Sequence, residues 1–372
     1  MMDIRSTSRT IIFSGGGTGG SVTPLLAVAE ELAREDENKD LNFVFVGTKS
    51  GPEQEMVSAF NRDIAPLRFI PLISGKWRRY FSIRNILDIF KVAAAWFKSF
   101  RILAELAPDL VVSAGAFVSV PLVWAAAFKK IPILIHQQDV RPGLANKLMA
   151  PFARTITVTF EKSLLDYGPR AVLAGNPVGR LKLDNDDASR RALKERYGLA
   201  SNHPLVLVIG GGTGATAINK LIFSAAAELT KNCQVFHLTG KGKLPSAKIN
   251  FARYQAYDFL PNEEVLALMS AADLVISRCG LATLSELATL QKAAILIPLP
   301  DSHQEDNAAV FIKAPAAVVL PQAGLAPDQL VAEVRGILDD RPVRATLENN
   351  IGKVMKRGAA ETIAGIIWEI IK

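Results

Sequence analysis

A strand followed by a glycine loop and a helix occurs twice in this chain, and this repeat most constrains the fold. The loop G-G-G-T-G at 15–19 follows the apolar run T-I-I-F, and the same five residues return at 210–214 after L-V-L-V-I. A second pair, D-L-V-V-S-A-G from Asp109 and D-L-V-I-S-R-C-G from Asp273, follows in the same order. Two similar units in one order predict an α/β fold of two Rossmann-like domains.

The domains are predicted to divide in the polar, turn-rich stretch G-N-P-V-G-R-L-K-L-D-N-D-D at 175–187. We therefore expect an N-terminal domain over 1–178 and a second domain over 179–345. The apolar segment 346–372 is expected to contain a helix that packs back across a domain face. A chain of 372 residues that is 49% hydrophobic is long enough to bury two cores.

Neither glycine loop ends in the Gly-Lys-Ser/Thr of a phosphate-binding loop. Two such loops at the carboxyl ends of strands nevertheless predict facing domains whose cleft closes on a ligand from both sides. The alternative is that both glycine turns serve only tight packing.

The stretch from Asp273 to Asn307 is where we place the chemistry. It predicts a strand at Leu274–Ile276, a turn containing Gly280, and a helix at Ala282–Leu290. The first N–H groups of a helix lack intrahelical partners and carry a positive dipole end, which suits a diphosphate.

Glu286 lies about one turn into this predicted helix. A carboxylate there would repel phosphate, but it is suited to grip a ribose diol through two charge-assisted hydrogen bonds. The next strand, Ile295–Ile297, leads into a predicted polar loop with His303, whose amides Gln304 and Asn307 are suited to sugar hydroxyls. The alternative is an ordinary βαβ unit with a solvated Glu and a polar loop.

Another polar group, H-Q-Q-D at 136–139, follows the predicted strand I-P-I-L-I. It is expected at the carboxyl end of that strand, on the cleft side of the first domain. A histidine in this position is more often structural. Asp139 is a carboxylate placed where an acceptor would arrive.

Cysteine usage and hydropathy exclude several classes of protein. Cys233 and Cys279 form no C-x-x-C pair and no zinc spacing, which predicts a reducing compartment and no structural metal. The first ten residues lack the apolar core of a signal peptide, which predicts a cytosolic protein. The uncharged run Leu110–Phe128 divides into a strand at Leu110–Ala114, a turn and a helix from Pro121, which argues against a membrane span.

The net charge of +7 is concentrated, because seven basic residues and one acid lie between Ser74 and Arg101. Bases among aromatics, next to an amphipathic helix, suit a surface that rests on anionic lipid. The alternative is a plain packed helix, and RNA binding is disfavoured because the aromatics form a helical stripe. The predicted membrane dock consists of Trp77, Arg78, Arg79, Tyr80, Phe81, Arg84, Lys91, Trp96 and Phe97.

Taken together, the motifs resemble the MurG family of bacterial N-acetylglucosaminyltransferases. They are G-G-T-G-G at 16–20, P-G-L-A-N at 142–146, G-N-P-V at 175–178, G-T-G-A at 212–215, S-E-L-A at 285–288 and H-Q-E-D-N-A at 303–308. The resemblance implies an inverting GT-B glycosyltransferase that moves GlcNAc from UDP-GlcNAc to the muramyl 4-hydroxyl of lipid I, giving lipid II. It also implies a peripheral protein on the cytoplasmic face of the plasma membrane, with no cofactor, no metal and no nucleic acid, and it leaves the oligomeric state open.

The resemblance also implies roles for individual residues. Glu286 would bind the ribose, the turn and helix start the diphosphate, Leu260 the uracil through its backbone, and Gln304 the GlcNAc. An acceptor-side glycine loop would consist of Thr18, Gly19 and Gly20. The implied donor site comprises Arg180, Gly212, Thr213, Leu260, Arg278, Gly280, Leu281, Ala282, Thr283, Leu284, Ser285, Glu286, Gln304 and Asn307.

The chain departs from the family pattern at several of these positions. The usual His after G-G-T-G-G is Ser21, the usual H-E-Q-N has become H-Q-Q-D, and the usual Arg after G-N-P-V is Gly179, with Arg180 next to it. A serine usual in the second glycine loop is Gly212.

These departures bear on the catalytic base. A sugar hydroxyl is too weak an acid to attack unaided, and Ser21 cannot be its base. Asp139 is therefore the predicted base, and the alternative is an enzyme that relies on its diphosphate leaving group and a helix dipole.

Three rival functions remain at this point. One is a related GT-B transferase with another lipid acceptor, such as diacylglycerol. A second is a catalytically silent UDP-sugar-binding protein, motivated by the missing His and Glu. A UDP-GlcNAc epimerase would share the fold but has no use for the lipid dock.

Overall fold

The computed structural model describes residues 8–37, 39–75, 83–179, 187–211, 214–244 and 251–372, with only the backbone at 83–89 and 187. The chain divides into two compact units. Unit 1 consists of Met1–Gly179 and Lys356–Lys372, and unit 2 consists of Arg180–Met355. The segment predicted as one C-terminal element over 346–372 is therefore shared between the two units.

Unit 1 is built on a seven-stranded sheet in which all neighbouring strands run parallel, in the order β3-β2-β1-β4-β5-β6-β7. Six of its strands, β3-β2-β1-β4-β5-β6, follow the strand order of a Rossmann fold, and β7 extends the sheet at one edge. The strands are β1 Arg9–Ser14, β2 Leu41–Gly47, β3 Leu67–Pro71, β4 Leu110–Ser113, β5 Ile133–Gln137, β6 Thr155–Val158 and β7 Ala171–Leu173.

Helices cover both faces of this sheet. Because successive side chains of a strand alternate between faces, Ile11 and Phe13 enter one core while Ile12 enters the other. The helices of the first part of unit 1 are α1 Thr23–Glu35, α2 Glu53–Asp63, α3 Ile83–Leu106, α4 Ser119–Phe128, α5 Leu144–Met149 and α6 Leu164–Tyr167. The uncharged run at 110–128 is thus β4, a turn and α4, as the sequence predicted.

Unit 2 repeats the arrangement with a six-stranded parallel sheet in the order β10-β9-β8-β11-β12-β13. Every residue of the central strand β8 is buried, which explains its unbroken apolar run. Its strands are β8 Leu205–Ile209, β9 Gln234–Leu238, β10 Tyr254–Tyr257, β11 Leu274–Ser277, β12 Ala294–Leu296 and β13 Val318–Val319. Its helices are α7 Asp187–Arg196, α8 Thr216–Leu229, α9 Asn262–Ala271, α10 Leu281–Leu290, α11 His303–Lys313, α12 Pro327–Asp339 and α13 Arg341–Ile351.

The last helix, α14 (Ala359–Ile371), belongs to unit 1. Its apolar face, including Ile363 and Ile367, joins the core that covers one side of the first sheet. The indole N–H of Trp368 donates to Glu35 at the end of α1 at 2.8 Å. The returning chain passes so close to Gly175 that a Cβ there would overlap the carbonyl of Lys356, so only glycine is accommodated at this point of the G-N-P-V motif.

Candidate functional site

The start of α10 has no side-chain cap among the described residues. Gly280, the N-cap residue, is extended, and a Cβ built on it would meet no atom within 4 Å. The first N–H groups of a helix are unsatisfied within the helix and carry its positive end. The turn between β11 and α10 therefore offers backbone donors to an anion, in the place that the sequence predicted.

The first turn of α10 offers mainly its backbone. Leu281 and Leu284 are buried, and the hydroxyl of Ser285 donates to the carbonyl of Leu281 at 2.7 Å. Ala282 and Thr283 are partly exposed. Of the residues predicted to hold a diphosphate, Leu281, Ala282 and Leu284 therefore have only N–H groups to donate, and Thr283 has a hydroxyl group in addition.

Glu286 is a buried carboxyl group with only 8% of its surface exposed. Burial raises the pKa of Glu286 from its ordinary 4.5 to about 7. Within the described part of the chain, no hydrogen bond or ion pair reaches its carboxyl oxygens. A desolvated carboxylate without partners gains strongly from a ligand that donates two hydroxyl hydrogen bonds.

The predicted polar loop after β12 is a helix instead. Residues His303, Gln304 and Asn307 lie in the first turns of α11, and Ser302 caps this helix by accepting from the N–H of Gln304 at 3.2 Å. Two acidic residues follow in the first turn, where the helix dipole favours them. The sequence S-x-x-E at 302–305 is a capping-box signal and by itself indicates a helix that begins at His303.

Gln304 and Asn307 hold the turn in front of α10. The Gln304 Oε1 atom accepts from the N–H of Cys279 at 3.3 Å and of Leu299 at 3.0 Å, and Asn307 Nδ2 donates to the carbonyl of Cys279 at 3.2 Å. Both groups that face the Gln304 amide oxygen are donors, which fixes the orientation of the amide. Its Nε2 therefore points away from them, and it has no partner among the described residues.

Arg278 does not present its guanidinium group at the helix start. Its Nη1 donates to the carbonyls of Ile297 at 3.0 Å and Pro298 at 2.9 Å, and its Nη2 donates to Gln322. Burial lowers the pKa of Arg278 from its ordinary value. This arginine ties the ends of β11 and β12 together, because buried carbonyls and an amide take its donors.

Leu260 follows β10 and is partly exposed, with Phe259 beside it 49% exposed. The Nζ atom of Lys241, after β9, lies 4.3 Å from the centroid of the Phe259 ring. The sequence analysis missed this cation–π pair because Lys241 and Phe259 are far apart in the chain. Three predicted donor residues, Arg180, Gly212 and Thr213, lie outside the described residues.

In unit 1 the glycine loop between β1 and α1 folds around Ser21. The Ser21 hydroxyl accepts from the N–H of Gly16 at 2.9 Å and lies 3.2 Å from the Gly16 carbonyl. Thr18 is exposed, and Gly19 and Gly20 are half-buried in a short 3-10 turn. The residue in the place of the family histidine therefore shapes the loop.

The H-Q-Q-D group lies at the end of β5. Burial lowers the pKa of His136 to about 4, and its ring nitrogens lie 3.0 Å from Thr157 Oγ1 and 3.0 Å from Asn176 Oδ1. His136 is therefore a neutral structural histidine. Asp139 is partly exposed just beyond the strand.

Gln137, where the family has Glu, has a complete set of hydrogen bonds. Its Nε2 donates to the carbonyls of Asp139 at 2.7 Å and Arg141 at 3.3 Å. Its Oε1 accepts from Asn146 Nδ2 at 2.6 Å and from the Tyr167 hydroxyl at 2.9 Å. The neighbours of this side chain are two carbonyl oxygens and two donor groups, and an amide satisfies all four. Gln137 therefore shapes the loop that carries Asp139.

The described part of the predicted membrane dock lies on α3. Lys91 is exposed, Phe97 is 68% exposed, and Trp96 is half-buried. Phe90 of α3 and Phe128 of α4 are also exposed, at 69% and 73%. Other apolar residues of α3, Ala95, Ile102 and Leu103, are buried in the core beside the sheet, so only part of the apolar surface of α3 is exposed. Trp77, Arg78, Arg79, Tyr80 and Phe81 lie outside the described residues, as does the side chain of Arg84.

The described ranges contain no group of three His, Cys, Asp or Glu side chains that is able to hold a metal ion. None of the helices described is long and apolar enough to cross a membrane.

Solved structures share this architecture over nearly the whole chain. MurG of Acinetobacter baumannii has a TM-score of 0.72 at 24% identity, covering 97% of this chain and 99% of its own. The UDP-GlcNAc 2-epimerase of Neisseria meningitidis, bound to UDP-GlcNAc, has a TM-score of 0.67 at 13% identity, covering 97% and 100%. Two consecutive Rossmann-like domains, together with these structural neighbours, define a protein of the GT-B fold class.

The family follows from sequence comparison. Residues 11–158 match the glycosyltransferase family 28 N-terminal domain, and residues 205–363 match its C-terminal domain. The chain belongs to glycosyltransferase family 28 and, within it, to the MurG family.

The relatives carry a specific name. A Legionella pneumophila (strain Paris) protein is 35% identical over 97% of both chains, and one from Clostridium botulinum (strain Hall) is 34% identical over 98% of this chain and 100% of its own. Both are called UDP-N-acetylglucosamine--N-acetylmuramyl-(pentapeptide) pyrophosphoryl-undecaprenol N-acetylglucosamine transferase.

Proposed function

We propose that this chain transfers GlcNAc from UDP-GlcNAc to the muramyl 4-hydroxyl of lipid I, with inversion, to give lipid II. The observation that carries the proposal is Glu286, a desolvated carboxyl group without a described partner beside an uncapped helix start. A ribose diol and a diphosphate are the complements of these two features. The name shared by relatives at 34–35% identity supports the sugar and the acceptor.

The donor is proposed to lie across the carboxyl ends of the strands of unit 2. The N–H groups at the start of α10 hold its diphosphate, and Glu286 binds its ribose. The free Nε2 of Gln304 donates to a hydroxyl of GlcNAc, and the backbone at Leu260 reads uracil. Because the N–H groups are fixed before the reaction, they stabilise the charge that develops on the leaving diphosphate.

The acceptor is proposed to bind in unit 1 at Thr18, Gly19 and Gly20, with Asp139 as the base. Asp139 supplies a carboxylate at the carboxyl end of β5, and Gln137 fixes its loop through the Asp139 carbonyl. A positioned base typically raises the rate of such a step by roughly 10²–10⁴-fold. The competing mechanism uses no base and relies on the helix start alone.

The protein is proposed to dock on the anionic cytoplasmic leaflet through the exposed aromatics of α3 and α4. Phe90, Phe97 and Phe128 provide apolar contact, and Lys91 provides positive charge. Such a dock brings the enzyme to an acceptor that is anchored in lipid.

Transfer of labelled GlcNAc from UDP-GlcNAc to a lipid I analogue tests the function. We expect turnover by wild type and by Glu195→Gln, an exposed control on α7, and a loss of roughly tenfold or more in kcat/KM for Glu286→Gln. Wild-type protein that binds UDP-GlcNAc but transfers only to diacylglycerol, or to no acceptor, would exclude the proposed reaction.

Asp139→Asn tests the base separately. We expect kcat to fall by roughly 10²-fold or more while the Kd for UDP-GlcNAc stays unchanged, because donor binding resides in unit 2. Asp166→Asn, an exposed carboxylate of α6, is the matched control. Full turnover by Asp139→Asn would retain the family reaction and favour the mechanism without a base.

A further inference from the structure

Glu53 is a fully buried carboxylate beneath the glycine loop of unit 1. It is the first residue of α2, and none of its surface is exposed. Its Oε1 atom accepts from the N–H of Gly17 and from the hydroxyl of Thr48 at 2.9 Å. Its Oε2 atom is buried and has no partner among the described residues.

This arrangement is costly for a group that serves stability alone. Burying a carboxylate without a cation is unfavourable, and among the described residues only neutral donors and the N-terminal end of α2 oppose the cost. An apolar side chain of the same size would avoid that penalty. The carboxylate is therefore better explained by its hydrogen bond to the glycine loop than by a contribution to stability.

Two glycines make room for the Glu53 carboxyl group. A Cβ built on Gly16 would overlap Oε1, and a Cβ built on Gly51 would overlap Oε2. The glycine loop after β1 and the turn before α2 therefore both approach this side chain closely. Gly17, whose N–H it accepts, has a φ of +83°, a conformation that side-chain-bearing residues rarely adopt.

The hydrogen bonds of the loop divide it into two parts. Glu53 accepts the N–H of Gly17, and the Ser21 hydroxyl accepts the N–H of Gly16. The first part of the loop is therefore held by side chains of this chain. The N–H groups of the following Thr18 and Gly19 engage no acceptor within the described residues. Fixing the first part thus leaves the next N–H groups available to a ligand.

We propose that Glu53 is a positioning residue for the lipid-linked acceptor substrate. Its carboxylate accepts the Gly17 N–H and thereby holds the glycine loop in place. This inference rests on the proposed function, in which Thr18, Gly19 and Gly20 bind the diphosphate of the acceptor. Glu53 does not touch the acceptor itself. What it supplies is an acceptor atom for hydrogen bonds at one fixed place beneath the loop.

A pair of variants of similar size separates this role from simple packing. Glu53→Met fills the space without an acceptor atom, whereas Glu53→Gln keeps an amide oxygen for the Gly17 N–H. We expect Glu53→Met to raise the KM for a lipid I analogue roughly tenfold, because the loop loses its hydrogen bond to a charged acceptor atom. We expect Glu53→Gln to stay within about threefold of wild type, because a neutral acceptor bonds about half as strongly.

The Kd for UDP is the readout that a general structural defect would also change. We expect it to stay within about twofold of wild type in both variants, as in Glu55→Gln, an exposed control on the same helix. Equal KM values for the Met and Gln variants, or a parallel loss of UDP binding, would overturn the proposal.

Hydrogen–deuterium exchange of the peptide that spans residues 14–22 tests the loop without any reaction. Faster exchange in Glu53→Met than in Glu53→Gln supports the positioning role even if wild type shows no transfer, a result that would exclude only the proposed function. Should the Met variant fail to fold, Glu53→Leu, which also lacks an acceptor atom, replaces it. Faster exchange in this variant than in Glu53→Gln supports the proposal, and equal exchange overturns it.

Discussion

The side-chain oxygen of Gln304 accepts the backbone N–H of Cys279 at 3.3 Å, which joins the start of α11 to the turn that precedes α10. The same oxygen accepts from Leu299 at 3.0 Å. One amide thus fixes two loops at the carboxyl ends of neighbouring strands, and its nitrogen remains available to a ligand. A single residue therefore has both a structural role and a proposed recognition role.

Substitution at Gln304 separates these two roles. Gln304→Glu keeps oxygens for Cys279 and Leu299 but loses the amide donor. Because the added charge repels the diphosphate of both ligands, we expect both Kd values to rise, and we expect the rise for UDP-GlcNAc to be roughly tenfold larger because only this ligand also loses a hydrogen bond to its sugar. Calorimetry with both ligands measures the difference, and equal losses for UDP and UDP-GlcNAc would remove Gln304 from sugar recognition.

Donor binding is expected to depend on pH through Glu286. The diol donates to the ionised carboxylate, and the pKa of this group is about 7 in the ligand-free protein. The affinity for UDP-GlcNAc should therefore rise roughly tenfold from pH 6 to pH 8. Glu286→Gln should bind weakly with no such rise, and a rise that persists in this variant would assign the titration to another group.

The same carboxyl group should make the ligand-free protein less stable as pH increases. A folded-state pKa raised from 4.5 to about 7 gives a contribution that is fully present below pH 4.5 and lost as pH rises through about 7. The difference corresponds to roughly 3 kcal/mol at most. Thermal unfolding of wild type and Glu286→Gln between pH 5 and 8 measures it, and parallel profiles would contradict the assignment.

Gln137→Glu, which restores the usual family residue, is expected to destabilise this protein. A carboxylate oxygen would replace the Nε2 atom that donates to the carbonyls of Asp139 and Arg141. Repulsion and two unpaired acceptors should lower the free energy of unfolding by roughly 1–3 kcal/mol. Urea unfolding measures this, with the exposed Gln54→Glu as the control, and equal stability of the two variants would show that the site tolerates a carboxylate.

The exposed aromatics of unit 1 are expected to drive binding to anionic vesicles. The double substitution of Phe97 and Phe128 by Ser removes apolar contact from α3 and α4 and should reduce binding roughly tenfold or more. Sedimentation with phosphatidylglycerol vesicles measures binding, and Phe251→Ser, on an exposed residue of unit 2, is the control. Unchanged binding by the double variant would place the contact elsewhere.

The sequence predicted the two parallel sheets because their signals are local. The glycine loops at 15–19 and 210–214 each follow a buried strand, and the strand orders around β1 and β8 agree with the predicted Rossmann-like domains. The turn before Leu281 and the position of Glu286 in the next helix were likewise predictable. Each of these features depends on residues within one strand–turn–helix unit.

Other features depended on contacts between distant segments. The Arg278 side chain turns to carbonyls after β12, and Glu53 reaches a loop 36 residues earlier. No local pattern specifies either partner. The exposure of Phe90 was not predicted, because a helical apolar stripe does not by itself indicate whether it covers a core, whereas the exposed Phe97 was part of the predicted membrane dock.

The placement of α14 has a consequence for synthesis of the protein. Unit 1 is made from the first 179 residues and from the last 17, with unit 2 inserted between them. During translation the first sheet emerges before unit 2, whereas the helix that covers part of one face, with Ile363 and Ile367, follows the whole of unit 2. Until α14 has been made, α1 keeps an apolar surface without its native cover, and exposed apolar surface of this kind makes partly folded chains prone to aggregate.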